Sequence, residues 1–344
     1  MKVNGKDFRT VCMENNEVKL INQLLLPHKF EIHTCKNHIE TAEAIKKMIV
    51  RGAGAIGATA AYGVAQAALE SDEDNYKDYI KKSVETLQKT RPTAQNLFTG
   101  INYVYNSIKD SDFNEIQKIA VEKANEFADY DAYACKKIGG HGNSLIKDDC
   151  KILTHCNAGW LAFVDWGSAL SPIFMAHRAG KNIFVFADET RPRNQGSLLT
   201  AWELGQEKVP HGIIADNAAG YYLNKGEINM VITGADRIAA NGDAANKIGT
   251  YEKAVLAKEN NIPFYIAAPT TTFDLGTEDG SKIPIEERNP DEVLSISGIR
   301  IAPKESSAKN PAFDITPAKY IAGIITEKGI VKADKEEIKR LFEQ

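Results

Sequence analysis

The chain has 344 residues, 43% of them apolar, which is enough for two domains and a substantial core. A net charge of -4 gives no electrostatic case for nucleic acid or a membrane surface, and no run approaches the ~18 consecutive apolar residues of a membrane-spanning helix. Five cysteines without a CxxC pair suit neither a disulfide framework nor a structural zinc site. With no apolar core in "MKVNGKDFRT" to make a secretory signal, they predict free thiols in a reducing cytoplasm.

Short strands are expected up to about Ile32. Helical spacing of apolar residues then predicts helices in "IETAEAIKKMIV", "ATAAYGVAQAALE", "NYKDYIKKSVETLQK" and "FNEIQKIAVEKANEFADYDAYACKK". The texture changes near "KKIGGHGNSLIKDD", Lys136 to Asp149. Beyond it, apolar runs at "KILTH", "NIFVFA", "GIIA", "INMVITG" and "IPFYIAA" alternate with "GSALSPIFMAHRAG", "SLLTAWELGQ", "NAAGYYLNK" and "NKIGTYEKAVLAKENN". Alternating strand and helix predicts a parallel sheet with crossover helices, its strands apolar throughout because both faces are covered. The expected fold is α/β: a mainly helical N-terminal domain over 1–140, then a Rossmann-like catalytic domain over 141–344.

In such sheets ligands bind beyond the carboxyl ends of the strands. The first run ends in His155, Cys156 and Asn157, and the second in "DETRPRNQG". The third ends in Asp216 and Asn217, which also suit a helix cap, and the fourth in "GADRIAANGDAANK". Cys156 at a strand end suits a reactive thiol or an inert buried one. A single His–Cys pair lacks the ligand count for zinc, so no metal is expected. In the first half, "RGAGAIG" opens a helix behind Arg51. It suits a phosphate on backbone N–H groups, or equally a close helix–helix contact. "TRPTAQNLF" sets Arg91 before a proline and Thr93, a candidate helix cap.

The ordered set "RGAGAIG", "TRPTAQNLF", "THCNAG", "ADETRPRNQG", "GADRIAANGDAANKIGTY", "IPIEERNP" and "NPAFDITP" resembles the methylthioribose-1-phosphate isomerase family. That family is related to the translation-factor exchange-complex subunits and to ribose-1,5-bisphosphate isomerases. The resemblance implies a cofactor-free aldose–ketose isomerase acting on a sugar phosphate, with Cys156 and Asp236 catalytic. It implies that Arg51, Gly52, Ala53, Arg91, Gln195, Asn246 and Lys247 hold the substrate, and that the protein is a homodimer. Asp236 as general acid needs a water-poor pocket. Alternation along a strand predicts that the His155 side chain points away from Cys156. Two features depart from the family pattern: Gly54 stands where proline is usual, and the bulky Trp160, Phe163 and Trp166 follow "HCNAG". These aromatics either reshape the pocket near the sugar's C5 substituent, which makes 5-deoxyribose 1-phosphate an alternative substrate, or fill the core. A non-catalytic sugar-phosphate or nucleotide sensor is the alternative from another class.

Overall fold

Asn37 ends the last of three antiparallel strands (Val11–Glu14, Glu17–Ile21, Ile32–Cys35) by capping helix α1, His38–Lys46, through a bond from the Glu40 N–H to its side chain. The computed structural model describes residues 1–92 and 94–343 and divides into two compact units. The first is Met1–Lys137 with Ala158–Ser171. It holds α1 and four further helices: α2 (Ala53–Glu70), α3 (Tyr76–Gln88), α4 (Gln95–Ile108) and most of α5 (Phe113–Asn143). Helix α2 is its axis, with every residue from Gly54 to Ala68 buried. A helix apolar all round belongs in a core.

The glycines of "RGAGAIG" serve close packing within this unit. A Cβ on Gly57 would come 2.8 Å from the Asn96 carbonyl, and one on Gly100 would come 2.2 Å from the Gly57 carbonyl. The N-terminal halves of α2 and α4 therefore touch backbone to backbone. A Cβ on Gly54 would come 2.2 Å from Asp131 Oδ1 and 2.5 Å from Phe163. Phe163 and Asp131 thus occupy the space of a side chain at 54. Trp160 and Phe163 are buried, and Phe163 packs with Cys135 and Ala162. Of the two readings of these aromatics, both residues take the core-filling one.

The expected boundary at 140 differs from the structure in two ways. Helix α5 runs through it to Asn143, and its last turn is held by bonding of His141 Nε2 to the Glu327 carbonyl. Ala158–Ser171, expected in the second domain, clusters with the first. Thr10 donates to the carbonyls of Val164 and Trp160, and Gln23 to that of Leu161. The Val164 N–H in turn donates to Asp131. These bonds satisfy a buried backbone that has no ladder of its own.

The second unit, Ile138–Asn157 with the residues from Pro172 onward, is built on a seven-stranded sheet. In chain order the strands are β1 (Cys150–Thr154), β2 (Ile183–Asp188), β3 (His211–Ile214), β4 (Met230–Thr233), β5 (Phe264–Ala267), β6 (Gly323–Thr326) and β7 (Gly329–Val331). Their spatial order is β3-β2-β1-β4-β5-β6-β7, all parallel except β7. This is the doubly wound order, which reverses between β1 and β4. The α/β expectation holds. Sequence periodicity missed β6, β7 and a second, four-stranded sheet containing Arg237–Ala239 and Ala244–Lys247. Two- to four-residue strands are too short to show a period of their own. Among the described residues no helix is long and apolar enough to cross a membrane.

Candidate functional site

The reversal point of a doubly wound sheet leaves a crevice at the carboxyl ends of the two strands that flank it. Here those strands are β1 and β4, paired in register Ile152↔Met230 and Leu153↔Val231. Cys156 lies two residues beyond β1 and Asp236 three residues beyond β4. The two residues thus leave neighbouring strands at the same edge.

Strand geometry ends at Thr154, and Cys156 adopts a left-handed backbone, φ 68°. Its N–H donates to Thr190 Oγ1 at 2.9 Å, and its carbonyl accepts from Thr200 Oγ1 at 2.7 Å. Thr190 is itself left-handed, φ 64°, which is rare for a β-branched residue. It is held there by donating its N–H to Asp216 and its hydroxyl to the Asp188 carbonyl. Gly196 must be glycine, because a Cβ there would lie 1.6 Å from the Asp188 carbonyl oxygen. A π-helical turn, Gly196–Thr200, follows and carries Thr200 to Cys156. Strained backbone fixed on all sides marks functional sites. The Cys156 side chain is half-buried, whereas Cys35, Cys135 and Cys150 are buried. Burial pushes the Cys35 thiol up to about 11 and raises that of Cys150, so both are inert.

His155 is buried, with Nδ1 2.8 Å from Asp188 Oδ2 and Nε2 2.8 Å from the Ile248 carbonyl. It stands past the last strand residue, so these bonds orient the ring rather than strand alternation. Buried Lys253 places Nζ 3.5 Å from the same Asp188 oxygen. Burial raises the Asp188 carboxyl above its ordinary value, against the His155 bond and the charge of Lys253. His155, Asp188 and Asp216 bring three ligand-type atoms within 4.8 Å of one another. Lys253 already supplies a cation to Asp188, and the N–H groups of Thr190 and Arg191 satisfy Asp216. Sequence reasoning missed this network, since Lys253 lies inside a helix and nothing in its spacing marks it.

Asp236 donates its N–H to the Ala245 carbonyl, closing the hairpin of Arg237–Ala239 and Ala244–Lys247. Its side chain is exposed, so the water-poor surroundings expected for it are not present in the chain itself. A residue at a hairpin mouth, clear of the sheet, stays accessible. Asn246 and Lys247 end this hairpin, both buried. Asn246 donates to Thr250 Oγ1, and Lys247 Nζ donates to the Ala312 carbonyl at 2.7 Å, 4.6 Å from the Phe313 ring centroid. Gln195 is buried with its Oε1 unpartnered among the described residues, as is Asn157 Oδ1. Buried carbonyl oxygens without donors call for a hydrogen-bonding ligand or water. The second unit thus gathers Cys156, Gln195, Asp236, Asn246 and Lys247 at the carboxyl ends of its strands or on the adjoining hairpin.

Arg51, Gly52, Ala53 and Arg91 belong to the first unit. Gly52 is the N-cap of α2, with φ 97° and no side-chain cap; a Cβ there would also strike Ala162 at 2.2 Å. Among the described residues helix α4 likewise starts without a side-chain cap, at Ala94. Uncapped first-turn N–H groups suit an anion. Because α2 and α4 touch at Gly57, Asn96 and Gly100, Arg51 and Arg91 precede the near ends of two packed helices. The cap expected at Thr93 lies outside the described residues.

A doubly wound sheet with a strained cysteine at its reversal point defines a ligand-binding α/β protein. A profile of the Initiation factor 2 subunit family matches residues 49–333, and the chain belongs to that family. It is 54% identical to the methylthioribose-1-phosphate isomerase of Acetivibrio thermocellus, over 94% of this chain and 96% of that one. It is 51% identical to the enzyme of the same name from Geotalea daltonii, over 98% and 99%. Among solved structures it resembles 5-methylthioribose 1-phosphate isomerase from Pyrococcus horikoshii OT3, with TM-score 0.92 and 44% identity over 98% of this chain and 96% of the other. It also resembles a structure described as translation initiation factor eIF-2B, subunit delta, from A. fulgidus, with TM-score 0.88 and 41% identity over 98% and 100%.

Proposed function

We propose that this chain is an aldose–ketose isomerase that converts S-methyl-5-thioribose 1-phosphate to S-methyl-5-thioribulose 1-phosphate, a step of methionine salvage. The observation that carries the reading is the full-length likeness, about half the residues identical, to isomerases of that name. It is supported by Cys156 and Asp236 at the ends of the two strands flanking the reversal point. A purely regulatory sugar-phosphate sensor would need neither residue.

The chemistry assigns each residue a task. A ribose phosphorylated at C1 cannot open to the free aldehyde, because the ester blocks the hemiacetal. Asp236 gives a proton to the ring oxygen as the bond from that oxygen to C1 breaks. The hydrogen on C2 then moves to C1, and the C2 hydroxyl proton leaves, forming the ketone. Asp236, now a carboxylate, takes that proton back and the catalyst is restored. The bound sugar shields the exposed Asp236 from water, which makes it a stronger partner for the ring oxygen. Cys156 stabilises the transition state or relays the proton. Arg51, Arg91 and Lys247 neutralise the phosphate, the N–H groups at Gly52 and Ala53 orient it, and Gln195 and Asn246 fix the sugar. No metal or organic cofactor enters these steps. The protein is a homodimer, and its free cysteines go with a reducing, cytoplasmic setting.

The test is a panel of ribose 1-phosphates bearing methylthio, hydroxyl, hydrogen and phosphate at C5, assayed for ketose with chelator-treated protein. Fastest turnover of the methylthio compound is expected. Preference for the 5-deoxy sugar would reassign the substrate, and no ketose from any member would reject the reading. Sedimentation reads the dimer.

A further inference from the structure

Two stretches of the ordered set, "IPIEERNP" and "NPAFDITP", hold no residue to which the proposed reaction gives a task. The geometry points to one. We propose that Glu292, just beyond the first stretch, is a positioning residue: its carboxylate clamps the loop that carries Gln195 to the segment that anchors Lys247. The kinetic consequence rests on the isomerase reading; the clamp itself does not.

Glu292 lies in a short helix, Asp291–Leu294, and is half-buried. Its Oε1 accepts from Arg193 Nη1 at 2.9 Å and from Arg288 Nη2 at 2.7 Å. Its Oε2 accepts from Arg288 Nε at 2.9 Å and from Asn310 Nδ2 at 3.1 Å. Arg288 thus meets both oxygens with its planar fork, the strong form of this contact. Burial acts to raise the Glu292 carboxyl, but the bonds from Arg288 and Arg193 outweigh it and hold the group down at about 2. Two further acids line the cluster. Glu286 Oε1 is 3.8 Å from Arg288 Nη1, and Glu287 Oε1 accepts the Asn310 N–H at 2.7 Å. Arg191, from the same loop as Arg193, donates through Nη2 to the Val293 carbonyl at 3.0 Å.

What matters is where these partners lead. Arg193 stands two residues before Gln195, on the loop whose Thr190 holds Cys156. Asn310 stands two residues before Ala312, whose carbonyl accepts from Lys247 Nζ. The strand that follows, Phe313–Thr316, pairs with the hairpin in register Asn246↔Asp314 and Lys247↔Phe313. Asp314 also accepts the N–H groups of Gly249 and Tyr251, just beyond Lys247. One carboxylate thus joins the Gln195 arm of the site to the Asn246 and Lys247 arm. A neutral amide at 292 would leave Arg193 and Arg288 without their shared counter-charge and would aim N–H groups at a guanidinium that can only donate. Binding groups depend on such placement, because small shifts of an arm lose its contacts.

Full-length Glu292→Gln tests this, first by hydrogen exchange and mass spectrometry without substrate. The N–H groups of Asn194, Gly196 and Ala312 donate to the carbonyls of Thr190, Glu189 and Glu286, so they report on the two arms. Peptides covering 189–196 and 310–316 should exchange at least ~10-fold faster than in wild type, with β1 to β5 unchanged. Faster exchange in only one arm or in neither would overturn the clamp, and so would a uniform rise across the whole chain. With methylthioribose 1-phosphate, KM should rise at least ~10-fold while kcat stays within about 3-fold, the pattern of lost uniform binding. An unchanged KM in the folded variant would reject the positioning role, as would a fall in kcat alone, which a merely weakened fold would give. Should Glu292→Gln fail to fold, Arg193→Gln opens the Gln195 arm by itself. Exchange should then quicken in 189–196, and an unchanged rate there would overturn the inference. If both arms loosen in Glu292→Gln but the wild type turns over no ribose 1-phosphate, the isomerase reading falls and the clamp stands.

Discussion

The Cys156 N–H donates to the hydroxyl of Thr190 at 2.9 Å, and the two residues hold matching left-handed backbones, φ 68° and 64°. Each such conformation costs about 1–3 kcal/mol and persists only where its surroundings enforce it. Thr190 enforces it with one oxygen, which accepts from Cys156 and donates to the Asp188 carbonyl at 3.0 Å. Thr190→Val keeps the shape and removes both bonds. The unpaired, buried N–H should cost about 1–3 kcal/mol of stability. The released cysteine should cost at least ~10-fold in kcat. Thermal unfolding and steady-state kinetics read the two effects, and a variant with normal kcat would show that Cys156 does not need this restraint.

The roles proposed for Cys156 and Asp236 lead to a second expectation. Cys156→Ser keeps the shape but is a far weaker acid. Asp236→Asn keeps a polar group that cannot exchange a proton. Each should lower kcat by at least ~10²-fold, the low end of general acid–base catalysis, with KM little changed. Near-normal turnover in Cys156→Ser would make the thiol a packing residue.

Much of this arrangement was legible in the sequence, and what was not has physical causes. Five apolar runs became β1 to β5, five of the six parallel strands, because strands covered on both faces are apolar without interruption. Their polar ends marked Cys156, Gln195 and Asp236 before any contact was known. Periodicity could not reveal that Ala158–Ser171 clusters with the first unit, since that segment is held by backbone bonds to Thr10, Gln23 and Asp131. Nor could it reveal Thr190 or Lys253, whose roles depend on left-handed backbone and on burial beside Asp188. "RGAGAIG" was ambiguous because glycine serves close packing and anion capture alike. Gly52, Gly54 and Gly57 all serve close packing, and Gly52 in addition leaves α2 without a side-chain cap.

Phosphate capture gives the third expectation. Arg51→Ala and Arg91→Ala each remove a charge shortly before the start of a helix, α2 and α4 respectively. A charge-assisted contact is worth ~1.5–3 kcal/mol, so substrate affinity should fall roughly ten- to a hundredfold in each. Calorimetric titration with substrate and with inorganic phosphate measures it. Unchanged affinity for both ligands in both variants would remove these arginines from the binding set.

The last expectation concerns a carboxyl that the proposed reaction does not use. Asp131 is buried in the first unit, accepts the Val164 N–H at 2.7 Å, and lies against Gly54. Burial pushes its pKa up to about 7; the Val164 bond opposes that rise, and the nearby Asp165 adds to it. In the unfolded chain the carboxyl titrates near 4. The folded state therefore holds a proton that the unfolded state has lost between those two values. Stability from this group is fully present below about pH 4 and is progressively lost as pH rises toward 7. At about 1.4 kcal/mol per pH unit, the ionised carboxylate costs a few kcal/mol above neutrality. Asp131→Asn keeps an oxygen for the Val164 N–H and never ionises. Its melting temperature, relative to wild type, should therefore rise between pH 5 and about 7 and level off above that, the opposite of what losing a salt bridge would give. A difference that stays flat across that range would mean Asp131 is ionised throughout, stabilised by a group other than the Val164 amide.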